Sequence, residues 1–363
     1  MAQLLLRTRW ISTPVTIGFV CLLCALVLCA RPAQAQSLDF YTIDVEGGKS
    51  VLVVSPSGES MLIDTGWPKA ANRDASTDVI VDAVKKAGLK QIDYLVLSHF
   101  DVDHIGDVPA LAARVPIRHL VDHGEIRLPA GVTTVPERFT TYAALRSTID
   151  HTVVKPGDRI PLKGVSVDVV SAGGAVLKKP LKGAVAANAL CAANPQAAEI
   201  PRDVEDNQSI GLLFTFGTFR MLDLADLEAH HSHDLVCPAN LIGQVDVYHV
   251  NVHGQFKGMS PELVGALRPT VAIMGNGGRK GGDPTTWPIL RAAPGLQDIW
   301  QAHYSEAGTV DTNPPPDFIA NLQGPADEHQ LIKLSVLPDG TYTVTNTRNG
   351  FSKTYRAGVG KSR

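Results

Sequence analysis

The sequence predicts an α/β fold, and three observations carry that reading. Short apolar or alternating runs of strand length recur along the chain, separated by turn residues. Between some of them lie stretches with the spacing of an amphipathic helix. One apolar run, Tyr94-Leu95-Val96-Leu97, passes directly into Ser98-His99-Phe100-Asp101-Val102-Asp103-His104, which puts two imidazoles and two carboxylates within six residues at a strand end. Buried carboxylates repel one another unless a cation lies between them. The cluster therefore reads as ligands for a divalent metal, gathered by a tight turn.

The elements follow in order. Arg7 and Arg9 precede an apolar stretch from Val15 to Ala30, and Ala33 and Ala35 supply a small-residue cleavage site. This pattern predicts a signal peptide over residues 1–35, a mature domain over 36–363 and a periplasmic or secreted destination. Strands are expected over Leu38–Val45, Ser50–Val54 and Ser60–Ile63, with Pro56-Ser57-Gly58 turning between the last two. Val79, Ile80, Ala83, Val84 and Ala87 give helical spacing over Asp74–Ala87, and Gly88 caps the end. The cluster strand follows, then a short helix over Val108–Ala113 and a strand over Ile117–Val121.

Further along, strands are expected over Val165–Val170, Ile210–Phe216 and Phe219–Leu224, the last two joined by the two-residue loop Gly217-Thr218. Val245–Val250 and Thr270–Met274 read as apolar strands around a helix over Pro261–Leu267. Leu331–Val336 and Tyr342–Thr345 flank a Pro338-Asp339-Gly340 turn. Two irregular excursions remain, 173–208 and 306–330. No linker divides the mature chain, which reads as a single domain.

Composition narrows the function. The 363 residues are 44% hydrophobic and 19% charged with a net charge of −3, a globular balance without a basic field. No strong nucleic-acid signature is present, and after signal cleavage no segment is apolar enough to span a bilayer. A small-molecule or phosphoester substrate is the expected partner. Cys21, Cys24 and Cys29 fall in the signal, leaving Cys191 and Cys237. An even pair in an exported protein predicts one disulfide.

Four segments together resemble the metallo-β-lactamase-fold hydrolases, and within them look most like secreted relatives of the ComEC competence-protein hydrolase domain. They are Ile43-Asp44-Val45-Glu46-Gly47-Gly48-Lys49-Ser50, Leu62-Ile63-Asp64-Thr65-Gly66, the cluster His99 to His104, and the pieces Asn207-Gln208-Ser209, Leu222-Asp223-Leu224-Ala225-Asp226 and Asn251-Val252-His253-Gly254. The resemblance runs over nearly all of Ser37 to Tyr355. It implies a four-layer αββα sandwich with two divalent ions, zinc or manganese, at one edge. By that resemblance His99 and Asp101 hold the first ion, Asp103 and His104 the second, Asp226 bridges them, and His253 completes the second site. Asp103 and Asp226 are then the catalytic carboxylates.

This chain departs from the family pattern H-x-H-x-D-H by placing Asp101 at the second histidine. The first site becomes more oxygen-rich, which shifts preference from zinc toward manganese or magnesium. A further family histidine has no counterpart in 203–209; His123 is the best substitute, with a locally bonded loop histidine as the other reading. His249 competes with His253. Asp64 is expected to orient ligands beside the metals. The run His230-His231-Ser232-His233 reads as an exposed or peripheral stretch of a polar loop. Gly277-Gly278-Arg279-Lys280-Gly281-Gly282 lacks phosphate-loop spacing and reads as a flexible loop whose Arg279 and Lys280 face an anionic substrate.

The chemistry implied is hydrolysis by a metal-activated water. A phosphodiester-type substrate is favoured over a lactone or β-lactam, with a degenerate metal-binding protein as the non-enzymatic alternative.

Overall fold

The computed structural model describes residues 37–69, 76–182, 184, 187–193, 204–322 and 330–358. The signal-peptide reading, and parts of both excursions, lie outside the described residues. From Ser37 onward the chain forms one compact unit.

Two nine-stranded sheets make up its centre. In the first, Leu38–Ile43, Val51–Val54 and Ser60–Ile63 pair antiparallel, and Ile92–Val96, Ile117–Asp122 and Asp150–Val153 continue in parallel. On the far side of Leu38–Ile43 the sheet extends antiparallel through Leu331–Val336, Thr341–Asn346 and Ser352–Arg356. The second sheet repeats the plan. Arg159–Ile160, Ser166–Ala172, Gly211–Phe216 and Phe219–Asp223 run antiparallel, Ala175–Val176 pairs antiparallel with Ser166–Ala172, and Val247–His249, Val271–Met274, Asp298–His303 and Ile319–Asn321 are added in parallel.

Strand alternation divides the core. Val51 and Val53 join the cluster between the sheets, whereas Leu52 joins the cluster under the outer helices. Leu212 and Phe214 likewise face the first sheet, and Leu213 faces outward. With side chains pointing to opposite faces in turn, a sheet buried on both sides needs apolar residues at both phases, which is why these strands read as continuous apolar runs. Helices Thr77–Lys86, Val108–Ala112 and Glu137–Arg146 cover the first sheet; Ala229–Val236, Pro261–Leu267 and Thr286–Arg291 cover the second. The layers are helix, sheet, sheet, helix. Among the described residues no helix is long and apolar enough to cross a membrane.

One stretch differs from the sequence expectation, and two elements are ones the sequence pattern does not mark. His230-His231-Ser232-His233 lies on a helix, not in an exposed loop; His230 and Ser232 are buried. Glu228 lies beside His230 and Glu262 beside His233, at 3.7 and 3.2 Å. Glu137–Arg146 is helical although only Phe139 and Tyr142 are buried along it. Asp298–His303 is a buried strand despite its polar residues. The disulfide expected of Cys191 and Cys237 is present, with their Cα atoms 5.7 Å apart, and ties the end of helix Ala229–Val236 to the excursion before it.

Candidate metal centre

The site forms where the parallel strands of both sheets end. After Ile92–Val96 the chain turns through the cluster into the short helix Val102–Ile105. Phe100 anchors the turn by packing into the outer layer, its ring 4.4 Å from that of His123 and 4.8 Å from that of Phe139. Gly106 closes the turn at φ 50, where a Cβ would meet the Thr65 carbonyl at 2.5 Å. From the other sheet, Asp226 follows Phe219–Asp223 and His253 follows Val247–His249. The Val252 N–H donates to the Ala225 carbonyl at 2.9 Å, which brings these two loops together.

Four donors converge here: Asp103, His104, Asp226 and His253, all buried. Asp103 Oδ2 lies 3.4 Å from His104 Nε2 and 3.3 Å from His253 Nε2. Asp226 Oδ2 lies 3.4 and 3.1 Å from the same nitrogens. The edge of a tetrahedron with metal–ligand bonds of about 2.1 Å is about 3.4 Å, so this spacing suits a single ion. The donors expected for the first ion, His99 and Asp101, adjoin it together with Asp206. His99 Nε2 is 3.4 Å from Asp206 Oδ1 and 3.9 Å from Asp101 Oδ2. His99 Nε2 and Asp226 Oδ1 are both buried without a hydrogen-bond partner, as lone pairs available to a metal ion would be.

The histidines are aimed by their other nitrogen. His104 Nδ1 donates to Asp64 Oδ2 at 2.9 Å, and His253 Nδ1 to the Gly275 carbonyl at 3.2 Å. That turns both Nε2 atoms inward, 3.2 Å apart. His99 Nδ1 meets the Ser98 and Ser209 hydroxyls at 3.1 and 3.4 Å. Asp64 is fully buried, not at the rim, and also accepts from Ser98 N–H and Oγ at 2.7 and 2.6 Å. Asp64, Ala225, Val252 and His253 all hold left-handed backbone, with φ between 49 and 61. Side chains adopt this region at about 1–2 kcal/mol each, so the surrounding packing enforces it.

Electrostatics match the geometry. Burial opposes charge on His104, yet Asp226, Asp103 and Asp64 outweigh it and hold its pKa well above the ordinary value. Burial likewise works against ionised Asp103, but His104, His253 and Lys280 hold it well below the usual range. Asp226 is depressed in the same way by His253 and His104. Burial, reinforced by Asp226, pushes Asp206 up to about 7. A proton and a metal ion compete for these lone pairs, so ion uptake would release protons.

The structure places three positions that the sequence leaves open. His123 follows the locally bonded reading, its Nε2 meeting Glu205 Oε1 at 2.8 Å, and Asp206 stands beside His99. Glu205 also accepts from Phe100 N–H at 2.9 Å and Arg127 N–H at 2.7 Å, so one carboxylate spans the cluster turn and the segment carrying Asp206. His249 lies apart, 3.4 Å from the Lys49 ammonium and 3.7 Å from Asp223. Arg279 is exposed and pairs with Glu306 at 3.3 Å, whereas Lys280 contacts Asp103. Sequence reasoning missed Asp206, Glu205 and the group Asp44, Glu46 and His303, where burial pushes Asp44 up to about 7.

Residues 43–178 match the metallo-beta-lactamase superfamily, a span that includes His99, Asp101, Asp103 and His104. ComE operon protein 3 of Bacillus subtilis is 23% identical over 286 residues, which cover 75% of this chain and 32% of that protein. The chain thus spans about a third of the length of that relative. Among solved structures, Igni18, a metallo hydrolase of the archaeon Ignicoccus hospitalis, is 15% identical at a TM-score of 0.41, covering 72% of this chain and 94% of the other. CmlA, a diiron beta-hydroxylase of Streptomyces venezuelae, is 14% identical at a TM-score of 0.40, covering 72% and 47%.

Proposed function

We propose, from the match of residues 43–178 to the metallo-beta-lactamase superfamily and from the site geometry, that the chain is an exported hydrolase using two divalent ions on a phosphodiester-type substrate. The observation that carries this is the pair of adjoining donor groups, with Asp226 facing the second group through Oδ2 and leaving buried Oδ1 unpartnered. Asp103, His104, Asp226 and His253 would hold one ion, and His99, Asp101 and Asp206 the other.

Four carboxylates against three imidazoles form a hard donor set, which favours manganese over zinc. When bound, such a pair supplies a hydroxide near neutral pH and polarises the oxygen under attack. Asp64 and the Gly275 carbonyl fix the tautomers that present Nε2. Asp103 and Asp226 are the carboxylates placed to carry a proton toward the leaving oxygen. The amino-terminal sequence pattern supports export, and a disulfide suits an oxidising compartment.

The test is metal content of the purified protein, followed by assay of bis-p-nitrophenyl phosphate, nitrocefin and a lactone with manganese or zinc. Manganese-dependent cleavage of the phosphodiester is expected, and His104→Ala should abolish it while the protein stays folded. Turnover of nitrocefin or the lactone with the phosphodiester inert would overturn the substrate class.

A further inference from the structure

Two lysines touch the donor carboxylates, and they do so differently. Lys257 Nζ contacts Asp206 Oδ2, the outer oxygen, while Asp206 Oδ1 is the atom facing His99. It also lies 3.6 Å from Glu228. Lys280 Nζ contacts Asp103 Oδ2, the same oxygen that faces His104 and His253. One ammonium thus braces a ligand from behind. The other occupies the donor atom itself.

The surroundings of Lys280 hold its backbone and leave its tip partly in solvent. Gly277 N–H donates to the Lys280 carbonyl at 2.9 Å, and Gly282 N–H donates to the His253 carbonyl at 2.9 Å, so the loop is pinned to a ligand residue. Gly47 admits the stem: a Cβ there would lie 2.6 Å from Lys280 Cβ. The ammonium lies 5.1 Å from the Trp67 ring centroid, and the side chain is 29% exposed, whereas Asp103 is 8% exposed.

We propose that Lys280 is a resident cation of the second donor group, displaced from Asp103 by metal uptake and thereby made available to bind the anionic group of the substrate. This rests on the two-ion reading above. A divalent ion and an ammonium cannot share one carboxylate oxygen without strong repulsion. Once Asp103 ligates an ion, the Lys280 charge loses its partner, and a phosphoryl or other anion entering beside the ions restores one. Lys257 keeps its outer oxygen throughout and acts as a positioning residue for Asp206.

Two measurements test this without substrate turnover. Metal-free wild type, Lys280→Met and Lys257→Met are titrated with manganese by calorimetry at fixed pH. Lys280→Met should bind the second ion roughly tenfold more tightly than wild type, and Lys257→Met no more tightly. The manganese-loaded proteins are then titrated with inorganic phosphate. Lys280→Met should lose roughly tenfold in phosphate affinity, and Lys280→Arg, which keeps the charge, should retain it. Unchanged or weaker ion binding in Lys280→Met overturns the proposal, as does phosphate affinity independent of the Lys280 charge. Loaded wild type that takes up no phosphate overturns it too. If both titrations behave as expected but the phosphodiester is not cleaved, the substrate assignment fails alone.

Discussion

Asp206 completes the first donor group from a position the sequence leaves unmarked. Its neighbours Asp203, Glu205, Asn207 and Gln208 form a polar stretch in which any one carboxylate looks like the next. Only folding sets Asp206 Oδ1 at 3.4 Å from His99 Nε2 while Glu205 turns away to Phe100, His123 and Arg127. Replacing Asp206 with Ala should lower bound metal from two ions per chain toward one and reduce kcat/KM about a hundredfold or more. Elemental analysis beside the kinetic assay checks it; full metal content in the variant would remove Asp206 from the ligand set. The cluster His99 to His104 was legible because its donors are packed into six positions after an apolar strand. Asp226 and His253 carried no such local density and were read through resemblance, because ligands from distant strand ends meet only in the folded sheets.

Apolar elements were legible and half-polar ones were not. Strands Ser60–Ile63 and Leu331–Val336 and helix Pro261–Leu267 bury residues at the period their sequence announces. Helix Ala229–Val236 hides behind three histidines, two of them facing Glu228 and Glu262, so polar contacts accompany a weak apolar stripe. The Cys191–Cys237 bond ends that helix with a closed loop of 46 residues, worth about 4 kcal/mol on the chain-entropy account. Cys191→Ser should therefore lower the urea midpoint. Added reductant should destabilise wild type and leave the variant where it is. Equal midpoints for wild type with and without reductant would show that the bond does not bear on stability.

For the whole molecule, the two sheets are tied at their edge by a buried ion pair. Lys49, between the first two strands of one sheet, donates to both oxygens of Asp223, at a strand end of the other, at 2.7 and 2.8 Å. His249 stands against this pair, and burial together with the Lys49 charge lowers its pKa from 6.5 to about 3. The unfolded chain then takes up a proton near pH 6.5 that the folded chain refuses until about pH 3, so acid favours unfolding across that window and stability rises with pH through it. Urea midpoints of wild type and His249→Gln at a series of pH values check this. The variant should show a flatter dependence below pH 6.5. Parallel curves would mean that His249 does not contribute.

Asp64, Ala225, Val252 and His253 hold their left-handed backbone in the loops that aim the donors. A screen for heat resistance rewards whatever relaxes those loops, and a screen for turnover rewards whatever keeps them. The two selections pull in opposite directions at the same few codons. Directed evolution for a hardier enzyme should therefore freeze these loops and draw its gains from the outer helices, at exposed positions such as Lys85 and Lys86 of Thr77–Lys86.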